Sequence, residues 1–279
     1  VADRWILSRS SRVAVGVRTS LGSYRFDEAA ETLYQFTWHE FCDWYLEISK
    51  SALSAGGAQR DAARFTITHV LDRLMRLLHP FMPFITEELW HHLPRPDGSA
   101  HRLDALAVAS YPRREEQFED EEAERTMASM REVVTARRKL QAEMSARTAK
   151  AETLIVPSTE ESRRALEHLS PHIIKLTNSS RLRILERFPP GLRALRAVTS
   201  GAEVAMPLDG MDVAAERRRI EKEISRAERQ LSTHEAKLAN EKFLARARPE
   251  AVSKVRAVHD TLSARLERLR ITLEQLGGR

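Results

Sequence analysis

A single cysteine, Cys42, stands in 279 residues. That scarcity excludes a disulfide framework and any zinc site built from several thiolates, and a reducing, cytoplasmic setting is the expectation. Glycine and proline are sparse, at 10 and 11 residues, and no Ser/Gly-rich linker occurs, which favours a mostly helical chain. No apolar run reaches the ~18 residues of a membrane span, so no membrane partner is expected. There is no Gly-x-x-x-x-Gly-Lys loop and no Gly-x-Gly-x-x-Gly turn to cradle a nucleotide phosphate. The opening Val1-Ala2-Asp3-Arg4-Trp5 has no methionine and no signal-peptide layout, and it reads as the edge of a piece cut from a longer chain.

Charge is plentiful, at 30% of residues, and net +5. Residues 1–211 hold 29 Lys/Arg and 29 Asp/Glu, so the excess lies entirely in 212–279, with 16 Lys/Arg against 11 Asp/Glu. A basic element of this kind suits a polyanion. A solvated helical face of mixed charge is the competing reading.

Periodicity predicts a mainly α protein in four parts: a helical bundle over 1–114, a connecting helix in 115–150, a small α/β domain over 151–210 and a hairpin over 211–279. In the bundle, Trp5, Ile6, Val13 and Val17 mark a first helix. Asp27 is placed to cap a second over 28–55, where Tyr34, Trp38, Phe41, Tyr45 and Ile48 recur at helical spacing. A third helix is expected from about Asp61 until Pro80 and Pro83 break it, and a short fourth over 84–92. Thr153–Val156 reads as a strand, Ser158 with Glu161 as a capping box for a helix to Leu176, and 181–185 and 198–208 as further strands, the latter with a break expected at Ser200-Gly201. Ile220, Ile224, Ala227, Leu231, His234 and Leu238 form one coiled-coil seam. A second runs from Val252 to Leu276, with a break near 245–249. Two seams around one break predict an antiparallel hairpin projecting from the body, each arm about 40 Å long.

Several strings in this order resemble the C-terminal region of valyl-tRNA synthetases, a class I family. They are Asp3-Arg4-Trp5-Ile6-Leu7-Ser8-Arg9, Tyr24-Arg25-Phe26-Asp27-Glu28-Ala29-Ala30, Phe41-Cys42-Asp43-Trp44-Tyr45-Leu46-Glu47, the run from Leu78 to Trp90 and Met206-Pro207-Leu208-Asp209-Gly210. The run from His79 to Trp90 is shared with isoleucyl and leucyl enzymes; the Phe41 string and the terminal coil point to the valyl one. Ser10 departs from the family's usual hydrophobic residue, Ala146-Arg147-Thr148 stand where prolines are common, and Arg248 looks like an insertion. The resemblance implies an anticodon-binding bundle and a coil that leans on the tRNA elbow. It implies tRNA(Val) and the enzyme's own N-terminal catalytic domain as partners, and a monomer. The family's His-Ile-Gly-His and Lys-Met-Ser-Lys-Ser signatures are absent here. The chain is therefore expected to be non-catalytic and without a cofactor, the parent enzyme using ATP and Mg.

Candidate anticodon contacts are Phe41, as a ring to stack on an unpaired base, and Arg9, Arg12 and Lys50 as donors to phosphate or base edges. For each aromatic the alternative is bundle core; for each cation, a solvated surface charge. Candidate elbow contacts are Arg226, Arg229, Lys237, Lys242, Arg246, Arg248, Arg256 and His259, the last also readable as a packed seam residue. Alternatives at the level of the chain are a free-standing RNA-binding paralogue, an isoleucyl or leucyl segment, and a coiled-coil dimer.

Overall fold

The computed structural model describes residues 1–94, 105–142, 144, 150–208, 212–240 and 249–277. It divides into two compact units, Val1–Ala128 and Ser129–Arg279.

In the first unit, α1 (Ala2–Gly22) buries Trp5, Ile6, Val13, Ala14 and Val17 along one face, as its spacing demands. The second helix is continuous but not uniform: α2 (Phe26–Phe36), a π-helical stretch (Thr37–Leu46) and α3 (Glu47–Ala55) follow without a break. Asp27, expected as its cap, lies in the first turn instead, and Arg25 is the N-cap. The buried positions are Ala29, Leu33 and Phe36, then Phe41, Tyr45 and Ile48. From Phe36 to Phe41 the core face advances by one wider i→i+5 turn. That shift rotates Tyr34 and Trp38 off the face where a 4-3 pattern puts them, and they are 52% and 53% exposed.

Gly56 and Gly57, at φ +82° and +60°, turn the chain in a conformation that costs other residues strain. The next helix, α4 (Gly57–Leu78), begins at the second of them, with Gly56 as its N-cap and ahead of Asp61. Its Arg73 is buried. It donates to Ser10 Oγ at 3.0 Å and to the Arg113 carbonyl at 2.8 Å, and pairs with Glu115 at 2.6 Å. The serine that departs from the family pattern is thus a hydrogen-bond partner for a buried guanidinium. Pro83 opens α5 (Pro83–His91), where its missing N–H leaves nothing unsatisfied. Trp90 of α5 is buried and its Nε1 donates to Asp72 at 2.8 Å.

The unit boundary falls inside α6 (Glu121–Ala142). In the second unit, β1 (Thr153–Pro157), β2 (Leu182–Ile184), β3 (Ala194–Val198) and β4 (Ala202–Pro207) form one sheet in the order β2-β1-β4-β3. β1 and β2 run parallel, the other pairs antiparallel. The break expected at Ser200-Gly201 is a hairpin turn between β3 and β4, and β3 starts at Ala194, ahead of the expected Val198. Thr199 closes this turn, donating from Oγ1 to the Ala202 carbonyl at 2.8 Å. The helix expected from Ser158 is capped one residue later by Thr159, whose Oγ1 accepts from Ser162 N. It breaks at Leu169 into α7 (Glu160–His168) and α8 (Ser170–Thr177), the second opening with proline.

Asp212 caps α9 (Val213–Leu238), which returns through residues outside the described set to α10 (Pro249–Gly277). The two helices pack along the expected seams. Burial is graded: Ile220, Ala227, Leu266, Leu269 and Leu276 are buried, while Leu231, His234, Leu238, Val252 and Val255, nearer the tip, are half-buried. The base of the hairpin shares a core with the sheet and α6, uniting Ile220, Leu269 and Leu276 with Leu140, Leu195 and Met206. Gln275 completes the join, its Oε1 accepting from the Arg196 backbone N–H of β3 at 3.0 Å. Among the described residues, no helix is long and apolar enough to cross a membrane.

Candidate nucleic-acid interface

Polyanion binding needs cations whose charge is not already neutralised, and base recognition needs rings or donors in reach of solvent. The bundle candidates mostly fail the first condition. Arg9 forms a two-pronged hydrogen bond with Glu40, at 2.7 and 2.8 Å, with Glu124 also 3.7 Å away. The Glu40 bond raises the Arg9 pKa above its ordinary value despite burial. Arg12 pairs with Glu121 at 3.3 Å and Glu124 at 3.1 Å. Lys50 is exposed but pairs with Glu47 one turn away, at 2.5 Å.

Phe41 needs correction as a stacking ring. It is 2% exposed and packs on Tyr45, ring centroids 5.8 Å apart, because the π-helical turn carries it into the core. No face is open to a base.

Other rings of the bundle are exposed, among them Phe84, Trp38 and Tyr34 on helices and two at a turn. Tyr24 and Phe26 flank the α1–α2 turn, 82% and 54% exposed, edge to face at 6.3 Å. Tyr24 has φ +58°, a region costly for a bulky side chain, and the turn is held by Arg25 N–H donating to the Ser20 carbonyl at 2.8 Å. A strained turn presenting two rings to water is a platform on which bases can stack. Both rings lie within one of the strings that carried the resemblance. Sequence reasoning passed over them because it searched for a helical stripe, and turn aromatics have no periodicity.

In the hairpin the cations are arranged differently. At about 100° per residue, Arg218, Lys222, Arg226, Arg229 and Lys237 fall within an arc of roughly 100° on α9, facing away from the seam; Arg219, at the edge of the same arc, is bound to Glu216 and Glu223. No acid of α9 lies in that arc: Glu216, Glu221, Glu223, Glu228 and Glu235 flank it. Two of those acids bind across to α10, Glu223 to Arg265 at 3.2 Å and Glu228 to Arg270 at 2.8 Å. All five stripe cations but Arg229 lack even a hydrogen bond among the described residues, and Arg229 only donates to the Ser225 carbonyl within its own helix at 3.1 Å.

The outer side of α10 is mixed, with Asp260, Glu267 and Glu274 beside Arg256. His259 is half-buried on the seam, 3.0 Å from Asp260 and 3.9 Å from Glu235. Thus Arg226, Arg229 and Lys237 are brought together on one face, while Arg256 and His259 are on the other helix. Lys242, Arg246 and Arg248 lie outside the described residues. Arg218 and Lys222 were missed, although their i, i+4 spacing with Arg226 was readable.

Residues 3–156 match the family described as the anticodon-binding domain of tRNA ligase. The chain belongs to this family. Residues 212–277 match a second, the valyl tRNA synthetase tRNA binding arm, which coincides with the α9–α10 hairpin. Similar curated proteins include the valine–tRNA ligases of Enterococcus faecalis, Geobacillus kaustophilus and Geobacter sulfurreducens. They are 34%, 36% and 37% identical over 99%, 99% and 96% of this chain. The chain spans 31% of the length of each. The anticodon-binding family thus accounts for the bundle and α6, the arm family for the coil, and the stretch between them is covered by neither match.

Proposed function

We propose that this chain is the tRNA-gripping part of a valine–tRNA ligase, the enzyme that joins valine to tRNA(Val) with ATP. The bundle turn at Tyr24 and Phe26 stacks on bases of the anticodon loop, and the α9 face neutralises phosphates at the tRNA elbow. Binding energy gathered there orients the acceptor end at a distant reaction centre. That centre, with ATP and Mg, belongs to the enzyme's N-terminal catalytic part, and the chain alone forms no valyl-adenylate. Among the described residues no group of three or more His, Cys, Asp or Glu could hold a metal ion. We place the protein in the cytoplasm on composition alone.

The supporting observation is the α9 stripe, with five cations and no acid on one outward face, in the segment that matches a tRNA binding arm. The seams of α9 and α10 satisfy each other within one chain, which favours a monomer over a coiled-coil dimer. The test is filter binding of the 279-residue chain to tRNA(Val) and a non-cognate tRNA, with ATP–pyrophosphate exchange assayed alongside. Tighter, salt-sensitive binding to tRNA(Val) without exchange is expected. Absence of tRNA binding, or measurable exchange, overturns the reading. Sedimentation at the monomer mass is expected in the same buffer.

A further inference from the structure

The sheet carries a second concentration of arginine, in the stretch that neither family match covers. Arg181, Arg183, Arg187, Arg193 and Arg196 lie between 181 and 196, with Glu186 as the one acid among them. All five are exposed, and none forms an ion pair among the described residues.

The strand register gathers two of them onto one face. Arg183 of β2 is opposite Leu154 of β1, Leu154 opposite Ala205 of β4, and Ala205 opposite Arg196 of β3. Residues directly opposite in a ladder share a face, so an Arg-Leu-Ala-Arg row crosses the sheet. Its ends are about 14 Å apart over three strand spacings. This is the face turned away from the hairpin, whose core contacts are with the alternate residues Leu195 and Met206.

The connection 185–193 folds over the middle of the row, packing Phe188 and Leu192 on Leu154 and Ala205. Arg196 rests on the Phe188 ring, 5.0 Å from its centroid, and donates to the Leu192 carbonyl at 3.4 Å. That connection carries the exposed Arg187, whereas Arg193, whose carbonyl accepts from Leu208 N–H one pair beyond Ala194 and Pro207, falls on the hairpin side of the sheet. Glu203 is on this face too, but opposite Val198 and Val156, one pair beyond the arginine row.

We propose that this arginine face of the sheet is a second phosphate-binding surface, engaging the backbone of the same tRNA; the proposal rests on the function given above. The chemistry favours RNA over an acidic protein. Guanidinium forks match phosphate oxygens in pairs. Leu154 and Ala205 are covered by the connection, and Val156 and Val198, flanking Glu203, are too few to make the apolar centre a protein interface needs.

The test uses the 279-residue chain carrying Arg183→Gln and Arg187→Gln, with Arg196 retained because it holds Phe188. Affinity for tRNA(Val) is titrated against salt, beside a variant with the α9 cations replaced. Each lost phosphate contact reduces the salt slope by about 0.7–0.9. The sheet variant is therefore expected to lose about 1.5 in slope and roughly tenfold in affinity near 0.1 M salt, in addition to the α9 effect. If the α9 variant weakens binding and the sheet variant keeps the wild-type slope, the sheet proposal falls and the general function stands. If the wild-type chain ignores tRNA, both fall. If the sheet variant binds tRNA normally but loses polyglutamate binding, the face is protein-directed and the proposal is wrong. A second measurement needs no variant: tRNA should protect Arg183 and Arg187 of the wild-type chain from a dicarbonyl reagent, and full modification of both in the complex overturns the proposal.

Discussion

The bundle and the hairpin spend their arginines in opposite ways. Arg9, Arg12 and Arg73 each meet a carboxylate at 2.6–3.1 Å, tying α1 and α4 to the polypeptide around Glu115 and Glu124. Their charge is consumed inside the fold. On α9, Lys222, Arg226, Arg229 and Lys237 meet no carboxylate among the described residues; acids of the helix are engaged by Arg217 and Arg219 of α9 or by Arg265 and Arg270 of α10. Equal numbers of cations and anions in residues 1–211 already hint at the first pattern, and the excess beyond 212 at the second. Local charge balance, more than the count of cations, separates a structural arginine from one available to a polyanion.

The sharpest way to break this comparison is to remove charge from both regions and read the same binding curve. Replacing Lys222, Arg226, Arg229 and Lys237 with Gln should lower tRNA affinity near 0.1 M salt by about a hundredfold or more. It should cut the salt slope by about 3 and leave the far-ultraviolet spectrum unchanged. Arg9→Gln with Arg12→Gln should leave affinity within about twofold, since those guanidiniums already face carboxylates, and should cost about 1 kcal/mol of stability. Comparable losses of binding from both variants defeat the distinction.

Next in size is Arg73. Its guanidinium is buried, and burial lowers its pKa while Glu115 pulls it back up. Arg73→Met should destabilise the bundle by about 2–3 kcal/mol in urea unfolding, because Ser10, the Arg113 carbonyl and Glu115 lose a shared partner. Ser10→Ala should cost less, about 1 kcal/mol. Arg137 in the second unit sharpens the point. It is fully buried and, among the described residues, its contacts within hydrogen-bond distance are Thr153, Gln141 and the Ala151 carbonyl, and desolvation takes its pKa down to about 10. With no carboxylate among those contacts, Arg137→Met should cost less than Arg73→Met. Equal costs would show that the carboxylate adds nothing.

The aromatic platform comes third. Tyr24→Ala with Phe26→Ala should weaken tRNA binding by about 1–3 kcal/mol if one base stacks there, with little loss of stability because both rings are exposed. Phe41→Ala should do the reverse, costing about 3–5 kcal/mol of folding energy as a cavity in the core.

Much of this architecture was legible in the chain. The seams of α9 and α10 were readable because a 4-3 repeat has one geometric meaning, and β1 because Leu154-Ile155-Val156 ends at a proline. What was not legible depended on contacts distant in sequence. The π-helical turn that buries Phe41 and exposes Trp38 breaks the assumption of 3.6 residues per turn on which the stripe was read. β3 was missed because its Ala194-Leu195-Arg196 start shows little alternation; its pairing with β4 defines it. The neutralisation of Arg9 by Glu40 crosses two helices, and no local pattern marks it. Arg183 and Arg196 share a face only through the register of four strands.

The smallest predicted effect concerns His259, the candidate that fits neither class of arginine. Its ring is half-buried at a seam position, turned to Asp260 and Glu235 within the hairpin, and it is on α10, whereas the cation stripe is on α9. A side chain so placed contributes to packing between helices more than to a phosphate surface. His259→Leu should therefore leave tRNA affinity within about twofold and raise hairpin stability by about 0.5–1 kcal/mol, since a leucine buries more apolar area at a seam position. Amide exchange in α10 with and without the substitution reads the stability; the salt titration reads the binding. A tenfold loss of affinity without loss of protection would move His259 to the RNA-facing side, and the line between seam and binding face would have to be redrawn.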